Sequence, residues 1–125
     1  WYVQKDALCG ISRIRPTGTA HVAGDWAIVT GTGTVGINST DMAGRVTVTT
    51  ANGAGFRLRV TWKDGTMASE AIVLATAAGT SLGAAETYWW TASPTATSCD
   101  FFYFDGTDTN PAGANIVLSY IVITH

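Results

Sequence analysis

The chain has 125 residues, 46% of them hydrophobic and only 13% charged, and its 7 basic and 9 acidic side chains leave a net charge of -2. That length suits one domain burying roughly two-thirds of its unfolded surface, enough to form a core without staples. The charge balance supplies no basic stripe for phosphates, so nucleic acid is not an expected partner, and no run nears the roughly 20 unbroken apolar residues of a membrane helix, so no membrane insertion is expected.

The chain opens on Trp1-Tyr2-Val3-Gln4-Lys5-Asp6, without an initiator Met and without the apolar stretch of a signal peptide. The chain is therefore expected to be a fragment, a processed product or the ordered part of something longer, with residues 1–25 an N-terminal segment for which connection to an upstream shaft is one option. From residue 26 onward, runs rich in Val, Ile, Thr and aromatics recur between Gly, Asn and Asp clusters, and helical periodicity is almost absent. Strands are expected at residues 26–30, 34–38, 45–50, 56–62, 71–77, 88–92, 99–105 and 116–124. The fold class is all-β: an antiparallel sandwich of jelly-roll or Greek-key type with seven or eight strands, spanning residues 26–125. Apolar and polar residues alternate in residues 45–49 and 56–62, which turns Val46, Val48, Phe56, Leu58, Val60 and Trp62 inward and their neighbours to water. Ala51-Asn52-Gly53-Ala54-Gly55 reads as a hairpin-type turn and Lys63-Asp64-Gly65-Thr66 as another. Residues 77–85 form a small, flexible connection, and residues 105–113 a polar surface loop.

Two strands break the alternation. Cys99-Asp100-Phe101-Phe102-Tyr103-Phe104 and Ile116-Val117-Leu118-Ser119-Tyr120-Ile121-Val122-Ile123 are apolar on both faces. Their second face needs a cover, either residues 1–16 or another copy of the chain; the scarcity of charge, a mark of interface cores, favours another copy. Trp89 and Trp90 are adjacent on one strand, so one of them must point away from the core. Cys9 and Cys99 have no metal-ligand spacing. A single disulfide or two free thiols both fit, and free thiols are expected because a domain of this size needs no bridge.

Signatures of chemistry are sparse, and the chain is not expected to be an enzyme or to carry a cofactor or metal. A Ser-His-Asp site would have to combine His21 with Asp25 and a distant serine, and spacing alone does not select such a set. Most carboxylates occupy turn-like contexts such as Asp64-Gly65 and Asp105-Gly106, where their usual role is to hydrogen-bond the turn. Asp105, Asp108 and Asn110 put three oxygen ligands in one loop, but without the alternation and terminal Glu of a calcium-binding EF-hand.

Gly31-Thr32-Gly33-Thr34-Val35-Gly36-Ile37-Asn38, followed by Ser39–Thr50, resembles the Gly/Thr-rich opening of a β-domain found at the C-termini of bacteriophage tail-fibre and tailspike proteins. Val60-Thr61-Trp62 and Ser69-Glu70-Ala71-Ile72-Val73-Leu74-Ala75-Thr76-Ala77 are similar to that domain's central strand pair, and residues 116–123 to its terminal strand. Glu70-Ala71 stands where the family often has Pro, and Ser119 replaces its usual Asn. The resemblance implies a homotrimeric tip or distal module of a fibre, joined to an upstream fibre or virion protein. Such a module is exposed on the virion and binds a host cell-surface receptor, a glycan or a protein, without chemistry. The alternative is a structural trimerisation or capsid/fibre decoration domain without a ligand. A sugar needs a flat ring face and planar hydrogen-bonding groups, and the expected site combines an outward ring from Trp89 or Trp90 with Asp105, Asp108 and Asn110.

Overall fold

The computed structural model describes residues 18–63, 71–77, 88–106 and 108–123. The turn expected at residues 63–66, apart from Lys63 itself, lies outside them, as do Cys9, residues 1–17 and the connection at residues 78–85. Val, Ile, Thr and aromatic side chains pack well on a pleated, half-buried surface. Here they form six strands: β1 (Trp26–Ser39), β2 (Ala43–Thr61), β3 (Ile72–Ala77), β4 (Tyr88–Pro94), β5 (Ser98–Asp105) and β6 (Ala114–Ile123), preceded by a 3-10 turn at Ala23–Asp25. The class is all-β, and every pairing is antiparallel. The strands make one sheet in the order β3-β6-β2-β5-β4, with β1 paired to β2 as well.

Four of the expected segments fuse in pairs, 26–30 with 34–38 and 45–50 with 56–62, to give the long strands β1 and β2. Ala51–Gly55 is therefore not a hairpin turn but a bend inside β2. The left-handed backbone at Thr50, Gly53 and Gly55 in β2, and at Gly31 and Gly33 in β1, shifts the register repeatedly without ending the pairing. Each extra residue reverses the inward parity, so Val46 and Val48 are followed inward by Ala51 and then by Phe56, Leu58 and Val60. The bend also needs close backbone approach. A Cβ on Gly53 would lie 2.8 Å from the Gly31 Cα, and one on Gly31 would lie 2.4 Å from the Phe56 ring and 2.7 Å from the Asn52 carbonyl oxygen.

Because of the bend, the first half of β2 pairs with β6 and the second half with β5. The sheet folds over on itself around one core. Val46, Val48, Ile116, Leu118, Tyr120 and Val122 come from one half, and Trp26, Leu58, Val60, Phe101 and Tyr103 from the other. The Tyr120 ring meets both Trp26 and Phe101, which ties the halves together. Leu58 is fully buried in this core, so its truncation to Ala removes about 2–5 kcal/mol.

The two ends of the sheet nearly close. Among the described residues, pairing of β3 with β6 runs as far as Leu118. At the next residue, side chains of β4 take over: the Tyr88 hydroxyl accepts the Val117 N–H at 2.9 Å, and Trp90 Nε1 donates to the Val117 carbonyl at 3.0 Å. Backbone groups left unpaired and buried would be costly, and these two rings satisfy both. Two tight hairpin turns among the described residues lie elsewhere. Thr40 joins β1 to β2 by accepting the Met42 and Ala43 N–H groups, and Thr95 joins β4 to β5 by accepting those of Thr97 and Ser98.

Candidate functional site

Alternation along β4 separates the adjacent tryptophans. Trp90 is 4% exposed and belongs to the core, so only Trp89, at 46%, is available as a platform ring. The register sets Trp89 opposite Phe104, and their rings stack at 6.0 Å with planes 13° apart. Phe104 supports one face of the indole. Two residues along, Phe102 lies between Thr91 on β4 and Arg57 on β2, and the Arg57 guanidinium sits 5.6 Å from the Phe102 ring centroid. One row further, Asp100 lies between Ser93 and Arg59. Its carboxylate accepts Arg59 Nε at 2.5 Å and Nη2 at 2.8 Å, while Arg57 Nη1 stands 3.6 Å away. The Arg59 hydrogen bonds, more than the charges of Arg59 and Arg57, hold the Asp100 carboxyl below the usual carboxylate range against the opposing effect of its partial burial. Thr91 and Ser93 are exposed beside this array.

This face also answers part of the second-face problem. Phe102 and Phe104 point outward on β5, but Arg57 and Trp89 cover them within the same chain. The outer face of β3 and β6 has no such cover among the described residues. Ile72 pairs with Ile123 and Leu74 with Ile121, and Ile72 and Leu74 are about half exposed. A shallow apolar cleft of about 280 Å³ there is lined by Leu74, Ala75, Thr76, Ser119, Tyr120 and Ile121.

Residues 105–113 place Asp105 opposite Tyr88, beside the Trp89–Phe104 stack. The loop side chains are engaged in shaping it. Asp105 Oδ1 accepts the Asp108 N–H at 2.8 Å, and Asp108 Oδ1 accepts the Asn110 N–H at 2.6 Å. Asn110 Oδ1 accepts the N–H groups of Ala112 at 3.1 Å and of Gly53, in the β2 bend, at 3.0 Å. Thr109 completes the docking, its carbonyl accepting the Phe56 N–H and its hydroxyl the Gly55 N–H. The loop thus locks the bend through Thr109 and Asn110, while Asp105 and Asp108 brace the loop from within. Among the described residues, no group of three or more His, Cys, Asp or Glu is placed to hold a metal.

A third cluster keeps the His21 and distant serine named from the sequence but replaces Asp25 with Asp41. His21 meets Asp41 and Ser39, whereas Asp25 caps the 3-10 turn through the Val22 N–H and pairs with Lys63. His21 Nε2 donates to Asp41 Oδ1 at 2.6 Å, since a carboxylate only accepts, and Nδ1 lies 2.9 Å from Ser39 Oγ. Trp26 Nε1 donates to Ser39 Oγ at 3.1 Å, and Asp41 Oδ1 also accepts the Lys63 N–H at 2.8 Å. The letters are those of a nucleophilic triad, but the setting is that of a clamp. Ser39 is 6% exposed and its hydroxyl is already bonded to two rings, while the Asp41 carboxylate is shared with a backbone amide. The array fastens residues 21, 39–41 and 63 to one another at the end of the fold.

The residues that the sequence did not single out, Phe102, Phe104, Arg57 and Asp100, gather only through the β2–β5–β4 register. The one local signal was that Phe102 and Phe104 alternate with Phe101 and Tyr103 and so share a face. No protein-family model, curated protein or solved structure matches the chain.

Proposed function

We propose that this chain is a non-enzymatic receptor-binding module of a phage-type fibre, at its tip or distal end, taking a host cell-surface glycan on the outer face of β4 and β5. The observation that carries it is the Trp89–Phe104 stack, a rigid pair of rings with the indole 46% exposed. Sugar rings present apolar C–H faces to such a surface and hydroxyls to its rim, where Thr91 and Ser93 stand. The module would work as a homotrimer on the virion surface, continuing an upstream fibre or virion protein. A protein receptor is the other kind of ligand that an aromatic patch of this sort accepts. The test is a glycan array probed with the purified protein and with Trp89→Ala. Binding by the first and not by the second, at equal melting temperature, supports the proposal; binding that survives Trp89→Ala refutes this site.

One observation favours a second reading, a structural trimerisation or decoration module. The aliphatic outer face of Ile72, Leu74, Ile121 and Ile123 suits burial against another copy and offers a sugar little to bond. If the array stays blank while light scattering gives a trimer that Leu74→Asp dissociates, this reading replaces the first.

A further inference from the structure

We propose that the Arg57 guanidinium, held over Phe102 next to the Trp89–Phe104 stack, is an anion subsite and that the ligand of this face is a carboxylate-bearing saccharide. The inference rests on the glycan reading above and names the class of sugar. Among the described residues, three charged side chains share this face, Arg57, Arg59 and Asp100, and together they carry one net positive charge in a chain whose total is -2. Arg59 takes both oxygens of Asp100, at 2.5 and 2.8 Å. Arg57 is left 3.6 Å from that carboxylate, beyond hydrogen-bonding distance, and its buried Nε has no partner. Its side chain is 31% exposed, so the guanidinium reaches solvent on one side while the Phe102 ring shields it on the other.

That is the state of a cation positioned in advance. The ring backs the guanidinium, the planar fork matches a carboxylate, and side-chain freedom already reduced by that contact is not lost again on binding. Placement relative to the stack fits an oligosaccharide. Arg57 and Trp89 lie two strands and two residues apart, about 12 Å between Cα atoms from standard sheet spacings. One ring stacked on the exposed part of Trp89 leaves the acidic group of a linked ring to reach Arg57 across Phe104 and Phe102, with exposed Thr91 at the side.

The experiment titrates the full chain, by tryptophan fluorescence and calorimetry, with oligosaccharides containing glucuronic, galacturonic or N-acetylneuraminic acid. Each is paired with its carboxyl-reduced counterpart. At least one acidic form is expected to bind about ten- to hundredfold more tightly than its reduced form, as a charge-assisted pair implies. Arg57→Gln should erase that difference, Arg57→Lys should retain part of it, and Trp89→Ala should weaken both forms. Melting temperatures of the variants establish that each is folded. Equal binding of acidic and reduced forms, or an acidic preference that survives Arg57→Gln, overturns the anion subsite while leaving the aromatic platform standing. If no saccharide of either kind binds, the glycan reading falls and this inference with it.

Discussion

Replacing Asp41 by Ala should be among the most damaging single changes outside the apolar core. Asp41 is 1% exposed, and its Oδ1 accepts from His21 Nε2 at 2.6 Å and from the Lys63 N–H at 2.8 Å. Truncation leaves the buried His21 donor without an acceptor, at about 1–3 kcal/mol, and the part-buried Lys63 N–H, which water can reach, at about 1 kcal/mol, so the sum is roughly 3 kcal/mol. For a chain of this length the melting midpoint should fall by roughly 10–20 °C. Urea titration followed by tryptophan fluorescence suits the measurement, because the Trp26 indole donates into the same cluster. Asp41→Asn keeps one accepting oxygen and should lose about half as much. In a double-mutant cycle, His21→Ala and Asp41→Ala should couple by about 1–3 kcal/mol, since each removes the other's partner. A loss below about 1 kcal/mol for Asp41→Ala, or strictly additive single changes, would refute the clamp.

Gly31→Ala should destabilise by more than about 2 kcal/mol in chemical denaturation, because its Cβ would meet the Phe56 ring and the Asn52 carbonyl in a left-handed backbone. Cys99 is a free buried thiol that desolvation pushes up to about 12 from the ordinary 9.0, so alkylation followed by mass spectrometry should label it only on unfolding. Between those two pH values the unfolded chain has released a proton that the folded chain retains. Stability is therefore complete below pH 9 and falls as pH rises through the window; Cys99→Ala should flatten that part of the profile. Light scattering at micromolar concentration should give about three times the monomer mass, and Leu74→Asp should dissociate that assembly by putting an unpaired charge in its contact; a stable wild-type monomer would refute the trimer.

Period-two alternation is a local property, so the inward set from Val46 and Val48 to Phe56, Leu58 and Val60 was legible in the sequence, as was the rule that Trp89 and Trp90 take opposite faces. Which of the two tryptophans goes inward was not, because that depends on the strand opposite and on the bonds the inner ring can make. Trp90 reaches the Val117 carbonyl, 27 positions away. The glycines of β2 suggested a turn because left-handed backbone serves a hairpin and a bend equally well, and those of β1 suggested a break between two strands. Only the continued pairing of β2, first with β6 and then with β5, turned Ala51–Gly55 into a bend and two pairs of short strands into two long ones. The same limit applies to the candidate site. Asp105, Asp108 and Asn110 carry groups that bond either a ligand or their own backbone, and the folded loop engages them with backbone amides. Arg57 looked like any polar residue on the wet side of an alternating strand until the register set it over Phe102 and short of Asp100. Local chemistry chose the residues that face out; long-range pairing chose their neighbours, and a binding surface is made of neighbours.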